Sequence, residues 1–234
     1  MKNLQDATLL ITGANRGIGL ALAREALARG AKKVYAAARD PDSITLPGVV
    51  PVRLDVTRDE DVARVAAQYA DVNLLINNAG VAETGGFLAP DAIESARRQL
   101  EVNYFGPLRL ARAFAPVLAA QGGGALVNVL SIASWISGPL LAAYASTKSA
   151  TWSMTNALRQ ELAAQGTLVT GLHMGFVDTD LTQGIDAPKT TPQAIAAALF
   201  DGLAAGATEI LGDEVTRQVK QGLSAGVYLQ ALPR

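Results

Sequence analysis

The chain is predicted to fold as a doubly wound α/β sandwich, a parallel sheet of about seven strands with helices on both faces. Three observations carry the prediction. Seven apolar runs of strand length recur along 234 residues, half of which are hydrophobic. These runs are nearly continuous in hydrophobicity, as strands are when helices cover both faces of a parallel sheet. Segments of helical period stand between them, so strand and helix alternate through the whole chain. The length suits one domain with a substantial core, and a single domain over residues 1–234 is expected.

The expected strands are 7–12, 33–38, 49–54, 72–77, 125–130, 169–174 and 208–211. After the first, Ile18, Leu22 and Ala26 recur at helical spacing; after the third, Val62, Val65, Ala66 and Tyr69 do so within an expected helix over 59–69. Gly122 to Gly124 reads as a turn into the fifth strand. The polar stretch 178–191, with Gly184 and Pro188, reads as a mobile lid, and a helix starts near Thr191.

Composition removes several classes of function. Net charge is −1 with acids and bases scattered, so no basic stripe marks a nucleic acid or an anionic membrane as partner. There is no cysteine and one histidine, His173, so disulfides, thiolate nucleophiles and histidine-rich metal sites are absent, and no metal is expected. His173 itself reads as a core or hydrogen-bonded residue at a strand end. The N-terminal stretch MKNLQDATLL has no leader signature, and no segment holds eighteen uninterrupted apolar residues; a soluble cytoplasmic protein is expected. Gly222 to Gly226 spells G-x-S-x-G, the nucleophile elbow of hydrolases. That motif needs a strand–turn–helix crossing and a later histidine, and none follows Ser224.

The stretch ITGANRGIG, from Ile11 to Gly19, packs three glycines between an expected strand and an expected helix. The helix N-terminus there offers unpaired N–H groups and a partial positive charge to a phosphate, and glycine allows the approach. The spacing Gly13, Gly17, Gly19 is wider than G-x-G-x-x-G, and a tight strand-to-helix turn with close packing is the other reading. Arg16 stands where the helix dipole disfavours a cation, and Arg39 follows the second strand; two arginines converging on a 2′-phosphate explain both positions. Tyr144 and Lys148, four apart, share one helix face. A phenol titrates near ~10, and a neighbouring ammonium is expected to lower that value and make Tyr144 a usable acid or base.

Further motifs stand in sequence with these: LDV (Leu54, Asp55, Val56), NNAG (Asn77 to Gly80), Asn103 in EVNYFG, NVLS ending at Ser131, and YASTK from Tyr144 to Lys148. In order and spacing the set resembles the short-chain dehydrogenase/reductase family, over essentially the whole chain. The resemblance implies a Rossmann-type sheet and an NAD(P)(H)-dependent oxidoreductase that interconverts a carbonyl and an alcohol. By it, Tyr144 is the acid or base, Lys148 also holds a nicotinamide-ribose hydroxyl, Ser131 orients the substrate oxygen, and Asn103 supports a water-linked relay to the lysine. The dinucleotide is expected against Gly13, Asn15, Arg16, Gly17, Ile18, Gly19, Arg39, Leu54, Asp55, Val56, Asn78, Ala79 and Gly80. Gly175, Val177 and Thr179 complete that set.

NADP(H) is the expected cofactor, since NAD-specific members tend to carry an acid after the second strand, where this chain has Ala37, Ala38 and Arg39. Asp40 would serve NAD(H) instead if the strand boundary lies slightly elsewhere. Ligands in open α/β sheets collect at the carboxyl ends of strands, which makes Val81, Trp135, Ile136, Leu140, Leu141, Phe176 and Leu181 expected walls of an apolar substrate cleft, with Ser131 and Tyr144 at its polar end. Two departures stand out: Met174 replaces the family's proline before Gly175, implying a looser backbone, and GDEVTRQVKQGLSAG stands where a VDGG-like segment is common. Self-association as a homodimer or homotetramer is expected through the helices that carry Asn103 and Tyr144. The competing reading of the same residues is a dinucleotide sensor without catalysis, which would have no need of Ser131, Tyr144 and Lys148 together.

Overall fold

A computed structural model describes residues 4–230, so the first three residues of the MKNLQDATLL stretch lie outside it. Seven parallel strands form one sheet in the order β3-β2-β1-β4-β5-β6-β7. They are β1 (Thr8–Thr12), β2 (Lys33–Ala38), β3 (Val50–Arg53), β4 (Leu74–Asn77), β5 (Ala125–Val129), β6 (Leu168–His173) and β7 (Glu209–Leu211). Each expected strand is present: the second has the expected bounds, the sixth is shifted one residue towards the N-terminus, and the other five are trimmed at their ends. The order reverses direction between β1 and β4, and the crevice outside their carboxyl ends is the place where such sheets bind ligands.

Among the described residues seven α-helices flank the sheet, six in its crossovers and the last after β7: α1 (Gly17–Ala28), α2 (Asp59–Gln68), α3 (Ala92–Leu100), α4 (Gly106–Ala120), α5 (Ala142–Glu161), α6 (Pro192–Ala204) and α7 (Glu214–Gly222). Alternation of side chains across the sheet divides the core in two. On one face Leu9, Ile11, Val34, Ile76 and Val127 pack under Leu22 of α1 and Leu199 and Phe200 of α6. On the other, Leu10, Leu75, Leu126 and Val169 pack under Val65 of α2, Leu110 and Phe114 of α4 and Leu158 of α5. Both faces of every central strand are therefore buried, which is why the runs read as continuous rather than alternating. Among the described residues no helix is long and apolar enough to cross a membrane.

The G-x-S-x-G stretch ends α7, makes a short 3-10 turn over Leu223–Ala225 and leaves through left-handed Gly226, with no strand before it. That geometry is not a nucleophile elbow. Thr191 caps α6 through its side chain on the Ala194 amide, in agreement with the expected start.

The glycine loop closes on itself. A Cβ on Gly19 would strike the Gly13 carbonyl oxygen and approach the Asn78 amide to 2.6 Å, so α1 can begin this close to β1 only without a side chain there. Gly13 and Gly17 have φ of +65° and +53°, a left-handed backbone that costs an ordinary residue about 1–2 kcal/mol. Both readings of the loop thus hold at once: its own packing demands glycine, and the resulting turn leaves the helix N-terminus open. Because the obstacle at Gly19 is backbone, Gly19→Ala is expected to destabilise the fold by about 2 kcal/mol. A urea unfolding curve should show a lowered midpoint at unchanged slope, and an unmoved midpoint would contradict this packing.

Candidate active site

The site assembles where β1, β4, β5 and β6 end. After β1, the buried Thr12 hydroxyl accepts the amides of Asn78 and Ala79 at 3.0 and 2.9 Å, and the Asn78 amide returns bonds to the carbonyls of Thr12 and Gly13. The NNAG turn is thereby tied to the glycine loop. Thr12, quoted in the sequence motif but given no role, is the residue that joins the two cofactor-side loops. Below them Asn77 donates to Asn128 and Asn128 to Thr155, a buried chain that fixes β4 to β5 and α5.

The N-terminus of α1 has neither a side-chain cap nor an acid in its first turn, so its leading N–H groups face outward unpaired by side chains. Arg16, at the cap position, bonds Asp180 at 3.0 Å, both side chains 70% exposed. Gly17 faces the Thr179 methyl, so the loop after β6 lies directly against the glycine loop. Arg39 is exposed beyond β2 and forms no ion pair among the described residues. Asp40 caps the short turn Pro41–Ser43, its carboxylate accepting the Asp42 amide at 3.1 Å. Leu54 and Val56 are buried, and Asp55 accepts the amide and hydroxyl of Thr57. It does not cap α2, whose cap position is Arg58.

Asn103 lies in a π-helical turn, Glu101–Phe105, between α3 and α4. Such turns are uncommon and gather at functional sites. Its side chain clamps the residue after NNAG: the oxygen accepts the Val81 amide at 2.9 Å, and the nitrogen donates to the Val81 carbonyl at 2.8 Å and to Thr147 at 3.0 Å. Thr151 of α5 donates to the Asn103 carbonyl at 2.9 Å. The asparagine therefore braces Val81 and Gly80 against α5; a Cβ on Gly80 would come within 3.2 Å of its oxygen and 3.9 Å of the Lys148 Nζ.

Ser131 follows β5 and caps the 3-10 turn Ile132–Ser134, its hydroxyl accepting the Ala133 amide at 3.1 Å. Tyr144 and Lys148 share one face of α5. The Lys148 side chain is buried, donates to the Val129 carbonyl at 2.8 Å and holds its Nζ 5.6 Å from the Tyr144 ring centroid. Burial pushes the lysine down to about 8. It pushes the Tyr144 phenol up to about 12, with a hydrogen bond from the Ser131 side drawing it partly back. The sequence argument expected the ammonium to lower the phenol's pKa; instead desolvation dominates and raises it, with the ammonium lying over the ring 5.6 Å from its centroid. At neutral pH Tyr144 is an uncharged donor.

The residues expected as cleft walls fall mainly on three segments. Val81 to Gly85 run beside Leu140 to Ala142, joined by Gly85 to Leu140 at 2.9 Å and Ala142 to Gly85 at 3.3 Å. Ile136 is buried, whereas Leu140 and Leu181 are about half exposed. Phe176 and Asp178 pair with Thr190, and Thr182 bonds the Val177 carbonyl, so the expected lid is a loop stapled at its base. Trp135 does not join these walls. The 3-10 turn carries its indole away to stack on His173, with ring centroids 4.0 Å apart, and to meet Trp152 and Lys220.

Met174 does not loosen the backbone. Its carbonyl accepts the Ile132 amide at 2.9 Å, a bond proline would also accept, and Gly175 donates to the buried Asp213 at 2.7 Å. Asp213 also caps α7 through Thr216, so the unusual C-terminal segment braces the loop of Gly175, Val177 and Thr179. Asp213 carried no signal in the sequence beyond its place before a helix. No group of three or more His, Cys, Asp or Glu among the described residues is placed to hold a metal ion.

Residues 7–190 match the family model described as short chain dehydrogenase. A solved short chain dehydrogenase from Burkholderia cenocepacia, in complex with NADP, superposes with a TM-score of 0.92 at 38% identity, over 96% of this chain and 95% of that one. The 1-deoxy-11-beta-hydroxypentalenate dehydrogenase of Streptomyces exfoliatus is 36% identical over 202 residues, 80% of this chain and 73% of that protein. Oxidoreductase BOA17 of Botryotinia fuckeliana is 35% identical over 73% of this chain, a span that covers 65% of that relative's own length. The ordered motifs, the seven-stranded parallel sheet and these matches together make the chain a member of the short-chain dehydrogenase/reductase family.

Proposed function

We propose that the protein is an NADP(H)-dependent oxidoreductase that interconverts a carbonyl compound and an alcohol, with Tyr144 as the proton donor or acceptor. The observation that carries this reading is the grouping of Ser131, Tyr144 and Lys148 around the end of β5, with Ser131 and Lys148 buried, Tyr144 partly exposed and the Lys148 ammonium over the Tyr144 ring. When bound, the nicotinamide dinucleotide supplies or accepts the hydride.

The chain's own residues suit such a cofactor. Left-handed Gly13 and Gly17 and the uncapped N-terminus of α1 leave backbone N–H groups for a pyrophosphate. Leu54, Asp55 and Val56, then Asn78, Ala79 and Gly80, would line the dinucleotide, and Gly175, Val177 and Thr179 would hold its nicotinamide end. Lys148, buried beside Gly80, is within reach of a ribose hydroxyl. Arg39, exposed and unpaired, would meet a 2′-phosphate, with Arg16 turning to it from Asp180. Asp40 is engaged in its own turn, which argues against its gripping a ribose. Accordingly kcat/KM with NADPH is expected to exceed that with NADH, and Arg39→Ala to cut that ratio by about tenfold or more, the loss of one charge-assisted bond. A higher kcat/KM with NADH in the unmodified protein would reject the NADP(H) preference.

In reduction, the Ser131 hydroxyl donates to the substrate oxygen and stabilises its developing charge. Tyr144, held as the neutral phenol, gives that oxygen its proton and becomes a phenolate; in the reverse direction the phenolate takes the alcohol proton. Val81, Ile136, Leu140, Leu141, Phe176 and Leu181 line an apolar approach, which suits a hydrophobic ketone or secondary alcohol over a charged metabolite. The faces of α4 and α5 would join the subunits of a homodimer or homotetramer. The test is a panel of ketones and alcohols followed at the nicotinamide absorbance, with Tyr144→Phe alongside. The variant is expected to bind dinucleotide normally and to lose about a hundredfold or more in kcat. Unchanged turnover would remove Tyr144 from the reaction, and dinucleotide binding without turnover on the panel would favour a sensor.

A further inference from the structure

We infer that His173 is a positioning residue for the reaction: its imidazole grips the Ser131 carbonyl and, through a stack on Trp135, locks the turn that presents the Ser131 hydroxyl. The inference rests on the proposed role of Ser131.

The geometry begins in the sheet. Leu130 donates to Leu172 at 2.7 Å and Ile132 to Met174 at 2.9 Å, so β5 and β6 stay paired one step beyond β5 and Ser131 sits inside that extension. Its carbonyl accepts the Ser134 amide at 3.0 Å and lies 3.2 Å from His173 Nδ1. A carbonyl only accepts, so Nδ1 carries the proton and donates. The ring of His173, 1% exposed, lies nearly parallel to Trp135, 4.0 Å away with 18° between planes. Trp135 closes the 3-10 turn that Ser131 opens. One side chain thus holds both ends of the turn, by a hydrogen bond at the first residue and a ring face at the last.

The brace has an outer layer. Lys220 of α7 sets its ammonium 4.7 Å from the Trp135 ring centroid and pairs with Glu209 of β7 at 2.8 Å, while Trp152 of α5 meets the indole edge-on. Glu209 approaches His173 Nε2 only to 3.8 Å, and that nitrogen has no hydrogen-bond partner among the described residues. Burying an imidazole with one nitrogen unsatisfied is unfavourable where leucine or phenylalanine would fill the same space. What the imidazole adds is the bond to Ser131. Burial also drives its pKa down to about 4, so the neutral, Nδ1-protonated form is the one present near neutrality. With the Ser131 hydroxyl oxygen already accepting the Ala133 amide, fixing the backbone fixes where that oxygen sits.

The chain's single histidine makes the first test direct. In protein labelled with nitrogen-15 histidine, the ring nitrogens are expected to report the Nδ1-protonated tautomer at neutral pH; the Nε2-protonated tautomer would overturn the inference. Kinetics give the second. His173→Phe, which keeps a stacking ring and removes the donor, is expected to lower kcat about tenfold with KM and the dinucleotide Kd within about twofold. His173→Asn, whose amide can reach the same carbonyl, should recover part of the loss. In a Ser131→Ala background, adding His173→Phe should cost less than about twofold more, because the hydroxyl it positions is gone. Full kcat in folded His173→Phe, or an undiminished loss in the Ser131→Ala background, would sink the inference while leaving the role of Ser131 standing. Normal turnover in Ser131→Ala alone would remove both.

Discussion

Withdrawal from water, nearly complete for one amine and partial for one phenol, sets the terms for the rest of the site. Lys148 is 5% exposed, and its ammonium relies on a single backbone carbonyl, that of Val129. A cation so placed is costly to keep, which is why its pKa falls to about 8, and partial desolvation lifts Tyr144 to about 12. Neither value would arise on an exposed helix face. The pair is therefore a consequence of where α5 lies, with the end of β5 on one side and the π turn of Asn103 on the other.

That placement follows from the sheet. Parallel strands deliver their carboxyl ends to one edge, and sheets of this kind bind ligands where the strand order reverses, here between β1 and β4. The polar groups at this edge are bonded mostly to one another: Thr12 to Asn78 and Ala79, Asn103 to Val81, Asn77 through Asn128 to Thr155, and Asp213 to Gly175. Loops that would otherwise be loose are held to fractions of a turn, and the glycine loop is fixed by contact with its own backbone at Gly13. Reactive groups gain preorganisation from such support without touching it.

Much of this could be read from residues alone. Strands buried on both faces must be apolar throughout, so the continuous runs located all seven, and Gly13, Gly17 and Gly19 announced a tight strand-to-helix turn beside an open helix end. Tyr144 and Lys148 were legible because a spacing of four places two side chains on one face. Other features depend on partners distant in sequence and had no local sign. The direction of the Tyr144 shift depends on how completely neighbouring elements cover it, which spacing does not encode. Trp135 looked like a cleft wall because it follows β5, yet a 3-10 turn aims it at His173. Met174 suggested looseness, but the bonds from Ile132 to its carbonyl and from Gly175 to Asp213 restore the restraint, and Asp213 lies 38 residues from the glycine it holds.

The most direct test of the claim that desolvation governs the phenol is an ultraviolet titration of the cofactor-free protein, taken as the difference between wild type and Tyr144→Phe. A folded-state pKa raised above the ordinary phenol value of about 10 keeps the proton on throughout the neutral range. The account predicts no phenolate absorbance from Tyr144 below about pH 10. A phenolate signal rising between about pH 6 and 8 would mean that the lysine prevails over burial, and would contradict it.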